Sequence, residues 1–115
     1  MIESISRGKI WLVNLDPTVG AEIKKTRPAV IISNDLNNQY ADTVTILPLS
    51  DPGQKVYPFE VLISPEDTGL SKPSKIKCQQ IRTVDKSRLL KFLGSIETRL
   101  IAQTEQALKN HLGLD

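Results

Sequence analysis

Apolar and polar positions alternate through most of this chain and change period near its end. Gly8 to Asn14 alternates with a period of two, Ile10 and Leu12 on one face and Trp11 and Val13 on the other, which predicts a half-buried strand. Ala29-Val30-Ile31-Ile32 is apolar at consecutive positions, so residues 29–34 predict a central strand covered on both faces. Thr43 to Ser50 predicts another, in which Pro48 has no N–H for a ladder, so the strand ends, bulges or lies at an edge there. Phe59 to Ile63 and Leu89 to Ile96 read as further strands. Ser74 to Gln79 alternates cleanly, Ile76 and Cys78 on one side and Lys75, Lys77 and Gln79 on the other. Between these runs lie turn-forming clusters at Asp16–Gly20, Asp51-Pro52-Gly53 and Ser64–Pro73. Asn34 or Asp35 is suited to cap a short helical turn before Tyr40.

The end differs in kind. Ile96, Leu100, Ile101, Ala107, Leu108 and Leu112 recur at three- and four-residue spacing in a stretch without Pro or Gly, and Gly113 is a natural stop. This predicts one amphipathic helix. His111 near its end reads as a surface residue favourable to the helix dipole. Six or so strands and a terminal helix in 115 residues predict a mainly β (α+β) single domain over residues 1–115, a compact, partly open antiparallel barrel with the helix packed on it.

Composition narrows the function. The apolar fraction of 39% and charged fraction of 24% are globular, and the longest apolar runs are far too short for a membrane span. No secretory signal is visible at the start, so a cytoplasmic location, with no membrane partner, is expected. One cysteine and one histidine exclude a metal site built on Cys/His ligands but not a magnesium ion held by carboxylates; the expectation is no metal and no cofactor. Cys78 falls on the apolar side of its strand and reads as core. The net charge of +2 is small, but seven of the residues from Lys72 to Lys91 are basic against Asp85 alone, and Lys24, Lys25 and Arg27 add to them. That asymmetry suggests a basic face, although lysines solvating strand exteriors would give the same pattern.

There is no glycine-rich phosphate loop before a helix and no nucleophile elbow. The polar residues that remain at strand ends are Glu22, Arg27, Ser50 and the group Lys77, Gln79, Gln80 and Arg82. If the strands bearing Arg27 and Ser50 pair antiparallel, both arrive at the same rim of the sheet. A guanidinium fork beside a hydroxyl would then form an anion site. The bland alternative makes Arg27 the ion-pair partner of an acid such as Glu22.

The segments RGKIWLVNLDP, TVGAEIKKTRPAVIISND, TILPLS, VYPFEV and QIRTVDKSRL, in this order and at these spacings, resemble the MazF/PemK family of toxin endoribonucleases from about residue 7 to the last helix. The resemblance implies an SH3-like barrel of about six to seven strands with a C-terminal helix, acting as a homodimer. It also implies metal-independent, sequence-specific cleavage of single-stranded RNA, commonly mRNA, and neutralisation by a small cognate antitoxin. It places Arg27 at the family's Arg-Pro step and Ser50 at the hydroxyl position that is usually threonine. Glu22 becomes the acid of the preceding loop, and Lys77 and Gln79 fall on the strand before Q-x-R-T. Catalysis is thus expected from Arg27, Ser50 and Glu22, and RNA binding from Lys24, Lys25, Lys77, Gln79, Gln80 and Arg82.

RNA carries its own nucleophile, the 2′-OH. The enzyme need only position it, accept its proton, stabilise the phosphorane charge and let the 5′ oxygen leave, giving 2′,3′-cyclic phosphate and 5′-OH ends. Arg27 suits the charge stabilisation, and Ser50 can orient a phosphate oxygen. Gln79 departs from relatives that have an acid there, and an amide takes no proton at neutral pH. Glu22 takes that role, or cleavage is slower, or the chain binds RNA without cutting it. A toxin of the same fold that poisons gyrase is a further alternative; such proteins rely on a characteristic C-terminal tail, and this chain ends LGLD. Only five aromatic residues are present, which limits base stacking and shifts recognition toward base edges.

Overall fold

The computed structural model describes residues 4–115. Seven strands form one antiparallel sheet: β1 (Lys9–Asn14), β2 (Thr26–Ile31), β3 (Thr43–Ser50), β4 (Glu60–Ile63), β5 (Ser74–Lys77), β6 (Arg82–Asp85) and β7 (Leu89–Ser95). Two short helices, α1 (Asp35–Tyr40) and α2 (Pro65–Thr68), lie between strands, and α3 (Thr98–Leu112) follows the last. The strand order is β4-β5-β3-β2-β1-β7, with β6 also paired to β3. The sheet curls but does not close, as the partly open barrel expectation required.

The consecutive apolar run does sit at the centre. Val30 and Ile32 join a cluster that includes Ile10, Leu47, Leu49, Ile63, Ile76 and the helix residues Leu100 and Ala107. Ala29 and Ile31 point the other way, into a second cluster with Val13, Leu15, Val44, Ile46 and Val84. A strand that feeds two cores cannot alternate with polar residues, which is why Ala29–Ile32 reads as unbroken. The strand itself is β2, starting at Thr26 and ending at Ile31, three residues earlier at each end than the sequence suggested. Arg27 is therefore inside a strand rather than at the end of a loop.

β3 does not stop at Pro48. Its first half, Thr43–Ile46, pairs with β6, and Leu49 and Ser50 pair with β5. Pro48 lies between these two regions, where the neighbouring chain leaves the ladder in a 3-10 turn at Cys78–Gln80. A proline is tolerated there because β3 is changing partners. The same turn takes Gln79 out of the strand that alternation had assigned to it. β6 gave no separate signal: Arg82–Asp85 contains one fully covered apolar side chain, Val84.

Helix α3 buries Leu100, Thr104 and Ala107, while Leu112, expected on the same face, is half exposed. Thr104 is a tolerable polar residue in the core because its hydroxyl donates to the Leu100 carbonyl at 2.7 Å. Gly113 ends the helix with a left-handed φ of 69°. His111 lies exposed in the last turn, its ring 6.2 Å from that of Phe59. Cys78 is buried beside the helix, and burial pushes its thiol up to about 12, so it is an inert core residue. No helix among the described residues is long and apolar enough to cross a membrane.

Candidate active site

β2 and β3 pair antiparallel with Ala29 opposite Pro48 and Val30 opposite Leu47. Continuing that register past Pro28 and Leu49 places Arg27 opposite Ser50. Both side chains line two clefts. One, of about 390 Å³, is walled on its far side by Gly69–Lys72 and Ser74. The other, of about 340 Å³, is walled by Glu22, Ile23 and Lys24. Asp51 lines both. The rim geometry inferred from the sequence is thus present, and Arg27 is exposed there with its donors available.

Arg27 is not the ion-pair partner of Glu22. Among the described residues the Glu22 carboxylate instead accepts the backbone N–H of Val19 at 2.6 Å, closing its own turn, and no carboxylate lies within ion-pair distance of Arg27. An exposed guanidinium held by a strand and followed by a proline is positioned without being neutralised.

The 15–25 loop that carries Glu22, Lys24 and Lys25 is tied down at several points. Gln80 accepts the Ile23 N–H and donates to the Ala21 carbonyl, both at 3.2 Å. Arg82 donates to the Leu15 carbonyl at 3.0 Å. Arg88 donates to the carbonyls of Asn14 and Asp16. Lys25 sits in the left-handed region at φ 69° while its carbonyl accepts the Leu15 N–H. The side chains of Gln80 and Arg82, which the sequence offered as RNA contacts, thus hold the loop that bears Glu22. Both also line a third cleft of about 600 Å³ between that loop and the 3-10 turn, together with Glu22 and Gln79. Lys24 and Lys25 are exposed, and Lys77 is half-buried at the end of β5 opposite Glu60.

Lys75 is a correction. Expected to face solvent, it is buried, with Nζ 3.1 Å from the Glu60 carboxylate and 3.0 Å from the Lys55 carbonyl. Sheet register puts it directly beside Ser50. Glu60 also accepts the Gln79 amide at 2.7 Å and the Tyr57 backbone N–H at 3.1 Å. Burial pushes the Glu60 carboxyl up, but the bonds from Gln79, Tyr57 and Lys75 together outweigh it and hold it below its usual range. A compact polar network therefore underlies the rim on the Ser50 side. Lys72 and Asp51 also escaped notice as site residues, since one reads as a surface cation and the other as a turn former. Among the described residues, no three His, Cys, Asp or Glu side chains are grouped to share a metal ion.

Fold and site together define a class: a small open β-barrel with an arginine–hydroxyl pair on the rim between two polar clefts. Comparison with known proteins makes the class specific. Residues 6–112 match the family described as the PemK-like, MazF-like toxin of type II toxin-antitoxin system. The chain is 42% identical over 113 residues to endoribonuclease MazF9 of Mycobacterium tuberculosis, with 94% of this chain and 96% of that protein covered. It is 31% identical over 111 residues to endoribonuclease EndoA of Bacillus subtilis, with 96% of each covered. In fold it is similar to the crystal structure of MazF from Deinococcus radiodurans, with a TM-score of 0.82 at 24% identity over 98% of this chain and 100% of that one. A mycobacterial endoribonuclease in complex with its cognate antitoxin superposes with a TM-score of 0.80 at 23% identity, over 97% and 98% of the two chains. The chain belongs to the PemK/MazF toxin family.

Proposed function

We propose that this chain is a sequence-specific, metal-independent endoribonuclease toxin that cuts single-stranded RNA, mRNA in particular, to 2′,3′-cyclic phosphate and 5′-OH ends. The observation that carries this reading is the placement of Arg27 opposite Ser50 between two clefts. A phosphodiester seated there meets five guanidinium donors on one strand and a hydroxyl on the other, the arrangement that stabilises charge developing on a phosphorane. The attacking 2′-OH comes with the substrate, so the protein supplies position and electrostatics. Glu22 faces the same cleft across from Ser50 and helps to orient the attacking sugar.

The RNA backbone would lie along the clefts past Lys24, Lys25 and Lys72, whose charges serve any sequence. Lys77 stands further along at the end of β5, beside Gln79, whose amide is held by Glu60 under the third cleft and shapes its wall. Neutralisation by a cognate antitoxin is the reading supported by the relative solved in such a complex. A homodimer in the cytoplasm is the working form: β4 and β7 end the strand order, so each has a side without a strand partner within the chain's sheet.

Incubating the purified chain with mixed-sequence single-stranded RNA in EDTA and mapping the ends tests this directly. Fragments with 5′-OH ends at a short recurrent sequence, lost in Arg27→Ala, are expected. Intact RNA that is nevertheless bound in a salt-sensitive manner would replace the nuclease with a binding module. Arrested DNA supercoiling with no RNA binding would point to a gyrase poison. Sedimentation at micromolar concentration checks the dimer.

A further inference from the structure

We infer that Asp51 is the general base of the site, taking the proton from the attacking 2′-OH. The inference rests on the nuclease reading above. Glu22 and Asp51 are the carboxylates that line clefts together with Arg27 and Ser50, and they are not equivalent. Glu22 lines one of these two clefts, and its carboxylate is already engaged by the Val19 N–H at 2.6 Å. Asp51 lines both, on either side of the Arg27–Ser50 pair. Among the described residues its carboxylate has no hydrogen bond or ion pair, so its lone pairs are available.

Its backbone is held in place. The Ser50 hydroxyl donates to the Asp51 carbonyl at 3.2 Å, and Pro52 restricts Asp51 to extended conformations. Asp51 thus projects from the strand end that presents Ser50, adjacent to the phosphate that Ser50 orients. The charges facing it are Arg27 and Lys72 in one cleft and Arg27, Lys24 and Glu22 in the other. Cations outnumber the other acid, so a carboxylate and a phosphate can share this rim.

The step balances without a cofactor. The Asp51 carboxylate accepts the 2′-OH proton as O2′ bonds to phosphorus. The P–O5′ bond breaks with its electron pair leaving on O5′, which takes a proton from solvent water. Asp51 returns its proton to solvent. The products are the cyclic phosphate and the 5′-OH end, with no change of oxidation state. This also removes the difficulty posed by Gln79, because the base does not need to come from that position.

The test is single-turnover cleavage of mixed-sequence RNA in EDTA by wild type, D51N, D51E, E22Q and R27A from about pH 3 to 8, which extends below ordinary carboxylate values. Wild-type cleavage is expected to fall on the acid side. D51N should lose about 10²–10⁴-fold of the plateau rate and flatten that acid limb, D51E should recover part of the loss, and E22Q should keep the limb. Binding of D51N to the all-2′-deoxy strand should be equal or tighter, since a negative charge has been removed beside the phosphates. An unchanged plateau in D51N, or an acid limb lost in E22Q and kept in D51N, overturns the inference and leaves the nuclease standing. RNA left intact by the wild type overturns both.

Discussion

Gln79 donates its amide to the buried carboxylate of Glu60 at 2.7 Å. Because a carboxylate only accepts, the nitrogen must face Glu60 and the oxygen must face away. That oxygen is buried and has no hydrogen-bond partner among the described residues. The amide at this position, which looked like a missing catalytic acid, is therefore required by the carboxylate beneath it. Replacing it by an acid would place two carboxylates in contact, and one would hold a proton well above the usual pH.

Gln79→Glu is accordingly expected to destabilise the fold in a pH-dependent way. The coupled pair would have one folded-state pKa raised above the unfolded value of about 4.3. The variant's stability relative to wild type is then best below that value and falls as pH rises through the raised pKa. Urea unfolding should give a deficit of about 1–3 kcal/mol near neutral pH, shrinking toward pH 4.5. Equal deficits at both pH values would refute the like-charge argument.

The Glu60–Lys75 pair makes a second case. Their side chains are 1% and 11% exposed, so the pair is desolvated, and removing one partner strands the other. Lys75→Met should cost about 3–5 kcal/mol in urea unfolding, and the double variant Lys75→Met with Glu60→Leu should recover a large part of it. If Lys75→Met costs as little as an exposed ion pair, below about 1 kcal/mol, the Glu60–Lys75 pair is solvated in solution.

Gln80 links the loop of Glu22 to the 3-10 turn through two bonds to backbone. Gln80→Ala removes both, at a net cost of about 0.5–1.5 kcal/mol each. The more telling readouts are local. Amide exchange at Ile23 should accelerate, and RNA cleavage should fall mainly in kcat, since a displacement of about 1 Å in a positioning loop can cost ~10²-fold. A variant with weakened RNA binding, unchanged kcat and unchanged exchange at Ile23 would instead make Gln80 a direct RNA contact.

These cases show what the chain reveals before it is folded. The rim pair was legible because Arg27 and Ser50 flank strong apolar strands whose antiparallel pairing follows from their neighbourhood in sequence. The two-sided burial of Ala29–Ile32 was legible from its lack of polar positions. Lys75 was not, because strand alternation marks which face a residue takes but not which charged side chain of a neighbouring strand awaits it there. The β4–β5 register sets Leu62 opposite Lys75 and Glu60 opposite Lys77, so Lys75 meets Glu60 on the diagonal. That register depends on residues 64–73, a stretch of turns and the short helix α2 that no strand periodicity describes. The loop-holding roles of Gln80 and Arg82 were hidden for the same reason: their acceptors are backbone groups more than 50 residues away. Of the three alternatives for Pro48, the edge is the one found: β3 runs from Thr43 to Ser50, and Pro48 has a ladder partner on the β2 side alone, where β3 changes partners from β6 to β5.

Gly94 carries a requirement that neither its strand propensity nor its neighbours announce. A Cβ built on it would lie 2.2 Å from the carbonyl oxygen of Thr68, the last residue of α2. No real Cβ tolerates that distance, and the obstacle is backbone, anchored by the Thr68 hydroxyl bond to the Ser64 carbonyl and by the Ser64–Asp67 capping pair. Gly94→Ala must push α2 away from β7. The loop after α2, which supplies Gly69–Lys72 to the 390 Å³ cleft, moves with it. The expected cost is about 1–3 kcal/mol from overpacking, accompanied by weaker RNA binding as Lys72 shifts away from the rim. Thermal or urea unfolding measures the first effect and salt-dependent RNA binding the second. An alanine that leaves both unchanged would mean that α2 and β7 do not touch in solution, and that the far wall of the cleft is built differently.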